Sequence, residues 1–391
     1  MLHTMAKNGP RLQGATMSLT ANVSSEEDLT ALRENVRSFL DAKSPMLSVR
    51  EAMASVNGFD LEVWRQMAEQ LGLQGLSLPE QYGGSGFGMI EQLIVFEELG
   101  RSLYSGPYFS TVALAAGLLV QCDDETAKAE YLTRIASGDL IATVAFVEAD
   151  ESWRLDNMVT RACLDGEQWR VSGVKPFVID GNLAELVLVI ANTAEGLGLF
   201  AVEGTAEGVL RVPLDVMDAT RKQSRLKFER APARLIGTAG HAQKWINAWL
   251  VTAAISLSGE QVGGAKRLLE ISVEYAKTRQ QFGRYIGSFQ AIKHKCATIY
   301  LETESAGAVA RYAAWTVAEC MDEAVLAASM AKSYCSEAFT HAAAENIQIH
   351  GGVGFTWDND GHLFLRRAKT SELFLGDAVY HRNLLSEYLN I

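Results

Sequence analysis

Residues 275–294, YAKTRQQFGRYIGSFQAIKH, decide how the rest of the chain is read. The stretch begins as the end of a long apolar helix predicted over residues 245–277. It breaks at Arg279-Gln280-Gln281-Phe282-Gly283, and a second helix is expected from about Ser288. Arg279 is a fixed cation whose planar fork can grip a phosphate with two hydrogen bonds. Gly283 permits backbone angles that a residue with a side chain resists. A lone arginine between two helices is more often a solvated helix end, so the stretch needs a partner. One lies downstream in residues 345–355, ENIQIHGGVGF. There a helix carrying Gln348 ends on Gly351-Gly352, whose amides could face an anionic ligand.

A chain of 391 residues with 48% apolar composition has room for two or three domains. Its formal charge of −12 argues against nucleic acid or an anionic membrane surface as the main partner. No apolar run reaches the length needed to span a bilayer. Residues 1–20 lack the apolar core of a secretory signal and are expected to be a disordered leader. The five cysteines (Cys122, Cys163, Cys296, Cys320 and Cys335) form no CxxC pair, which fits free thiols in a reducing cytoplasm. The seven histidines show no metal-ligand spacing, so no metal site is expected.

Residues 21–140 read as helical throughout. Ser25 is placed to cap a helix whose apolar face is Leu29, Leu32, Val36 and Leu40. A second helix is predicted over residues 61–71. The loop LPEQYGGSGFG, residues 78–88, leads into the apolar helix 89–100, with Gly100 as its expected C-cap. Buried and exposed helices follow over 107–120 and 123–137. From residue 141 to about 235 the texture changes to short β-rich runs at 141–148, 169–174, 186–191, 198–203, 209–213 and 225–229. Six such runs suggest a small barrel or sandwich. Residues 236–391 return to long helices. An α+β chain follows, with a helical N-terminal domain, a central β domain and a helical C-terminal domain.

The pattern R-x-x-F-G-x-x-I-x-x-F-Q from Arg279, followed by Q-x-x-G-G-x-G from Gln348, resembles the acyl-CoA dehydrogenase family. The likeness covers roughly residues 29–389 and implies a C-terminal four-helix bundle in a dimer of dimers, built from one chain or from two. It implies FAD as cofactor, held by Arg279, Gln281, Phe282 and Gln290, with Gln348, Gly351 and Gly352 reaching into the neighbouring subunit's cofactor. It also places Phe177, Val178 and Ile179 against the flavin, with Phe177 stacking at its edge; an ordinary strand core is the other reading of that phenylalanine. The implied reaction is α,β-dehydrogenation of a CoA thioester to the 2,3-enoyl product, with electrons passed to an electron-transfer flavoprotein. Two segments depart from the family pattern. Val147-Glu148-Ala149-Asp150-Glu151-Ser152 stands where the family resembles T-E-P-x-x-G-S-D, and acids there would repel a diphosphate unless they point away. Leu375-Gly376-Asp377-Ala378-Val379 stands where the family has E-G-T-x-Q.

The second departure removes the usual base. Abstraction of the α-proton needs a carboxylate beside a polarised thioester, and Leu375 occupies the family's glutamate position. A minority of the family carries the base at the position of Ala253, which cannot serve either. Glu260 lies on the same helix face, about 10 Å from residue 253, and is the candidate base. Its apolar and small neighbours are expected to raise its pKa and to leave room for a ligand. The alternative is a buried glutamate bonded to a neighbouring helix. Glu372 and Asp377 are further candidates. Glu97-Glu98 and Arg366-Arg367 are expected to be solvated or inter-helix ion pairs. The missing base also fits a half-site subunit of a heteromeric dehydrogenase that acts on a bulky, steroid-type acyl-CoA. A flavin oxidase or monooxygenase of the same fold is a third reading, which no residue here favours.

Overall fold

The computed structural model describes residues 24–149, 153–155 and 158–391. Helix α1 (Glu26–Lys43) begins at a capping box, in which the Asp28 amide donates to Ser25 Oγ and the Ser25 amide donates to Asp28 Oδ2. Helix α2 (Met46–Ala54) gave no sequence signal, because it buries only Val49 and has no side-chain cap. Helix α3 (Leu61–Leu71) is capped by Asp60 and ends on Gly72 in the left-handed region. Helix α4 (Met89–Arg101) runs past Gly100, so the expected C-cap is corrected. That glycine answers a packing demand: a Cβ there would lie 2.0 Å from the carbonyl oxygen of Glu260. A buried π-helical segment, Phe109–Ala116, continues into α5 (Gly117–Gln121), and α6 (Glu125–Ala136) completes the N-terminal helices.

Seven strands follow: β1 (Ala142–Ala145), β2 (Arg161–Asp165), β3 (Gln168–Ile179), β4 (Leu186–Thr193), β5 (Gly196–Glu203), β6 (Val209–Pro213) and β7 (Gln223–Ile236). The pairing β4-β2-β3-β7-β5 closes on itself through β5 and β4, which makes a barrel, with β1 added parallel to β4 and β6 antiparallel to β7. Closure removes free edges around that ring. Its interior is filled by Val171, Val187, Val189, Phe200, Val202, Leu226 and Phe228. The barrel strand that sequence reading missed is β2, where Ala162 alone is buried and the alternating apolar signal is absent.

The C-terminal part holds α7 (Ala242–Thr278), α8 (Gln290–Ala318), α9 (Ala324–His350), α10 (Gly361–Leu373) and α11 (Ala378–Leu389). Buried alanines such as Ala306, Ala310, Ala327 and Ala331 let these helices approach closely. Helix α4 lies against α7 at glycine contacts, since a Cβ on Gly263 would meet the Glu97 carbonyl oxygen at 1.8 Å. Around this crossing Glu97 and Glu98 are inter-helix ion-pair residues, as one of the two expectations held. Arg33 and Arg37 of α1 and Lys266 of α7 reach them at 2.7–2.9 Å.

Candidate active site

Between α7 and α8 the chain forms a two-residue hairpin, β8 (Gln280–Gln281) and β9 (Arg284–Tyr285). The turn residues Phe282 and Gly283 have φ of 54° and 77°, the doubly left-handed turn that favours glycine in second place. Phe282 is 92% exposed, its ring edge-on to Phe289, and the Arg284 guanidinium covers Phe289 at 3.9 Å. Arg279, Gln281 and Gln290 are exposed, and Arg279 makes no ion pair with any described residue. The exposed ring and the unneutralised guanidinium of this hairpin are both open to solvent.

The second motif lies close by. His350, at the end of α9, stacks on Tyr275 of α7 with ring centroids 4.1 Å apart. Asn346 ties the same turn to α7 through the Leu268 carbonyl and the Ser272 hydroxyl. Beyond it Gly351 (φ 64°) and Gly352 have open space on the side a Cβ would take, while Gln348 is exposed. The structure therefore brings the bases of the two motifs together and leaves both tips in solvent. A free cation and an uncluttered glycine turn suit a diphosphate. The residues present fit FAD on that count.

Phe177 is 38% exposed on β3, whereas Val178 and Ile179 are buried, their side chains turned into the protein. Thr143 Oγ1 donates to the Ile179 carbonyl at 2.6 Å, which fixes the strand end. The neighbouring loop answers the repulsion expected there. Glu148 points inward, and its Oε1 meets Lys175 Nζ at 2.7 Å inside the protein. Burial lowers the Lys175 pKa to about 8, against the pull of Glu148. Asp150, Glu151 and Ser152 lie outside the described residues, as do residues 1–20 of the expected leader.

At the corner between α10 and α11, Leu375 is buried with Phe374 in an apolar cluster. Trp153 stacks on Phe146 at 5.2 Å and meets Phe374 edge-on at 6.3 Å, and Phe146 leans on Trp249. Ala253 belongs to the same core. Neither position where the family resemblance puts a base therefore carries a carboxylate. The other acids have structural tasks: Glu372 bonds Lys369 at 2.7 Å, and Asp377 caps α11 by accepting from the Tyr380 amide at 2.7 Å.

The surroundings of Glu260 differ from the expected apolar pocket. One carboxylate oxygen accepts from Arg221, and the other faces Arg367 Nη1 and the Ser371 hydroxyl, each at 3.4 Å. Arg367 in turn binds Asp218 at 2.8 Å and Thr220 Oγ1 at 2.5 Å. All four charged groups are buried, so two guanidiniums balance two carboxylates where three parts of the chain meet. Burial lowers the Arg221 pKa; for Arg367 the same burial is outweighed by Asp218 and Glu260, which raise it. The small residues beside Glu260 take the backbone of α4, through Gly259 and Gly263, and leave no space for a ligand. The cavity at this junction has a volume of only about 10 Å³, the size of one water. Sequence reading missed Arg221, Asp218 and Trp153, which lie far from Glu260 and Leu375 along the chain and carry no local pattern. Arg366, paired with Arg367 in the sequence, instead lies over the Trp357 ring at 5.3 Å.

Comparison with known proteins agrees with this architecture. The model of the acyl-CoA dehydrogenase N-terminal domain matches residues 26–139, and that of the C-terminal domain matches residues 244–389. The chain belongs to the acyl-CoA dehydrogenase family. Acyl-CoA dehydrogenase IpdE2 of Mycobacterium tuberculosis H37Rv is 35% identical over 349 residues, which cover 89% of this chain and 93% of that protein. The ChsE4-ChsE5 complex from the same species superimposes with a TM-score of 0.85 at 29% identity, over 94% of this chain and 98% of the matched one. The Tcur3481-Tcur3483 steroid ACAD gives 0.85 at 28% identity, over 93% and 98%. Acyl-CoA dehydrogenases are FAD-dependent oxidoreductases, and this chain has both helical domains of the family around the central barrel. No helix among the described residues is long and apolar enough to cross a membrane, and no group of described side chains could hold a metal.

Proposed function

We propose that this chain is one half of a heteromeric FAD-dependent acyl-CoA dehydrogenase that forms 2,3-enoyl-CoA from a bulky, steroid-type CoA thioester. The observation that carries the reading is the missing base. Leu375 and Ala253 cannot take a proton, and Glu260 is committed to Arg221 and Arg367. A carboxylate whose two oxygens are both turned to guanidinium donors has none directed at a substrate carbon, which makes it a poor acceptor for an α-proton. The base then belongs to an unlike partner chain. Two of the matched structures bear the names of two proteins each, which supports such a pairing.

FAD, when bound, supplies the acceptor for the substrate's β-hydride. Arg279, with Gln281, Phe282 and Gln290, holds the diphosphate side of the cofactor, and Gln348, Gly351 and Gly352 complete the partner's site across the interface. Exposed Phe282, Phe355 and Trp357 beside these motifs give that interface apolar anchors. Phe177 and the backbone of Val178 and Ile179 face the ring, and electrons leave to an electron-transfer flavoprotein. The test is anaerobic addition of steroid-type and straight-chain acyl-CoAs to the chain alone and to the chain co-purified with a base-bearing family member. Bleaching of flavin absorbance only in the pair is the expected result. A chain that bleaches unaided carries its own base, and the half-site reading fails.

A further inference from the structure

Helix α2 buries only Val49, yet it is tied to all three domains. Val49 enters the buried cluster that holds Ile286, at the foot of the β8–β9 hairpin, and Leu363 and Phe364 of α10. Lys222, just ahead of β7, donates to the Met53 carbonyl at 2.8 Å and so satisfies an open carbonyl in the last turn of the helix. The third tie is made by Arg50. Its Nε and Nη2 donate to Asp360 Oδ1 at 2.9 and 2.7 Å, and Nη2 donates also to the Asn359 carbonyl at 3.1 Å. Asn359 and Asp360 end the loop that opens at Gly351, 310 residues from Arg50 at its last position.

That loop is pinned at its start by α7, through the stacked His350 and Tyr275 and the Asn346 hydrogen bonds. Its far half is shaped by local bonds. The Thr356 amide donates to the Val353 carbonyl, the Asn359 amide to the Thr356 carbonyl and the Gly361 amide to the Asn359 side chain. Trp357 meets only α10, edge-on to His362 and beside Arg366. Among the described residues, every hydrogen bond of residues 356–360 stays within the loop or goes to α10, apart from those made by Arg50. Arg50 is therefore the contact that sets this end of the loop against the N-terminal domain.

We propose that Arg50 is a positioning residue of the second motif, which fixes where the Gly351-Gly352 turn stands relative to the hairpin that carries Arg279. The inference rests on the reading that this turn completes a cofactor site. Helix α2 suits the task, because Val49 shares one buried cluster with the foot of the hairpin and with the helix that follows the loop. An arginine suits it too. Its planar fork sets two donors on one carboxylate oxygen and a further bond on the neighbouring carbonyl, an arrangement that a lysine on its flexible stem does not hold. The Arg50 and Asp360 side chains are 27% and 35% exposed, so the pair adds little to global stability and acts on position.

The test is hydrogen exchange in the FAD-loaded full chain, followed on a peptide spanning residues 351–361, with the FAD dissociation constant measured on the same variants. Arg50→Met should speed exchange of the Thr356, Asn359 and Gly361 amides by about fivefold. It should weaken FAD by a similar factor and leave the urea midpoint unchanged, and Arg50→Lys should recover part of both effects. Arg50→Met/Asp360→Asn should be little worse than Arg50→Met, because one contact is removed twice. Unchanged exchange in Arg50→Met, or effects that add in the double variant, overturns the proposal. Faster exchange with unaltered FAD binding also overturns it, since the contact would then order the loop alone. Gly352→Asp separates that failure from a failure of the underlying reading: the glycine has open space for a side chain, and an acid there repels a diphosphate. Flavin lost in Gly352→Asp but held normally by Arg50→Met removes the role of Arg50 and keeps the cofactor placement. Flavin held normally by both overturns the two together.

Discussion

Replacing Glu260 by glutamine separates the two roles a buried glutamate can have. In the wild type, Arg221 and Arg367 are balanced by Glu260 and Asp218, all of them buried. Glutamine keeps an oxygen that can accept a hydrogen bond but leaves one guanidinium uncompensated. Removing one member of a buried pair costs about 3–5 kcal/mol, and the retained acceptor places this variant near the lower figure. Urea denaturation of FAD-loaded protein, followed by both flavin release and far-ultraviolet circular dichroism, measures the loss. The paired variant Glu260→Gln/Arg221→Met should recover much of it, because Arg367 keeps Asp218 and the apolar replacement removes the orphaned charge. In the assembled heteromer, substrate-dependent bleaching of Glu260→Gln should persist while the protein stays folded. A variant as stable as the wild type that has lost flavin reduction would make Glu260 the base and refute the ion-pair reasoning.

Other perturbations test other parts of the structure. Burial raises the Asp180 carboxyl to about 6, against the lowering effects of its Ser110 hydrogen bond and of Arg221 and Arg367. An acid raised in this way gives a stabilisation that is complete below the unfolded value near 3.8 and lost as pH climbs through about 6. Asp180→Asn should therefore be more stable than the wild type at pH 8, by about 2–3 kcal/mol, and should lose that advantage towards pH 4; equal thermal stability at pH 8 would count against it. Gly263→Ala drives a methyl group into the Glu97 carbonyl, 1.8 Å from the ideal Cβ, so α4 must move. A loss of about 3 kcal/mol is expected by chemical denaturation, and an unchanged midpoint would show that the crossing can relax. Arg279→Ala removes the unpaired guanidinium and should release FAD without unfolding the helices, as read by flavin retention through gel filtration. Full flavin content in that variant would displace the cofactor from this hairpin.

Much of the architecture was legible because local chemistry and tertiary packing agree. Ser25 caps where its spacing says it should, the apolar periodicity of residues 61–71 marks α3 to its ends, and 209–213 is a strand with the bounds read from its composition. Disagreement came where a residue answers to something distant. Gly100 resembles a C-cap but is small because α7 crosses it, and Gly259 and Gly263 suggest space for a ligand yet receive helix backbone. Strand β2 is a strand through its pairing with β3, with little apolar character of its own.

The candidate site divides along the same line. Sequence alone determined the family, the order of helical and β-rich segments and the absence of a carboxylate at residues 253 and 375, since each of these is a matter of residue identity and spacing. Tertiary structure alone decided what Glu260 does. Its charge is balanced by Arg221 and Arg367, 39 and 107 residues away, and no local pattern couples positions so far apart. Electrostatic energy follows distance and burial in space, so the partners of a buried carboxylate are settled only when the chain has folded around it.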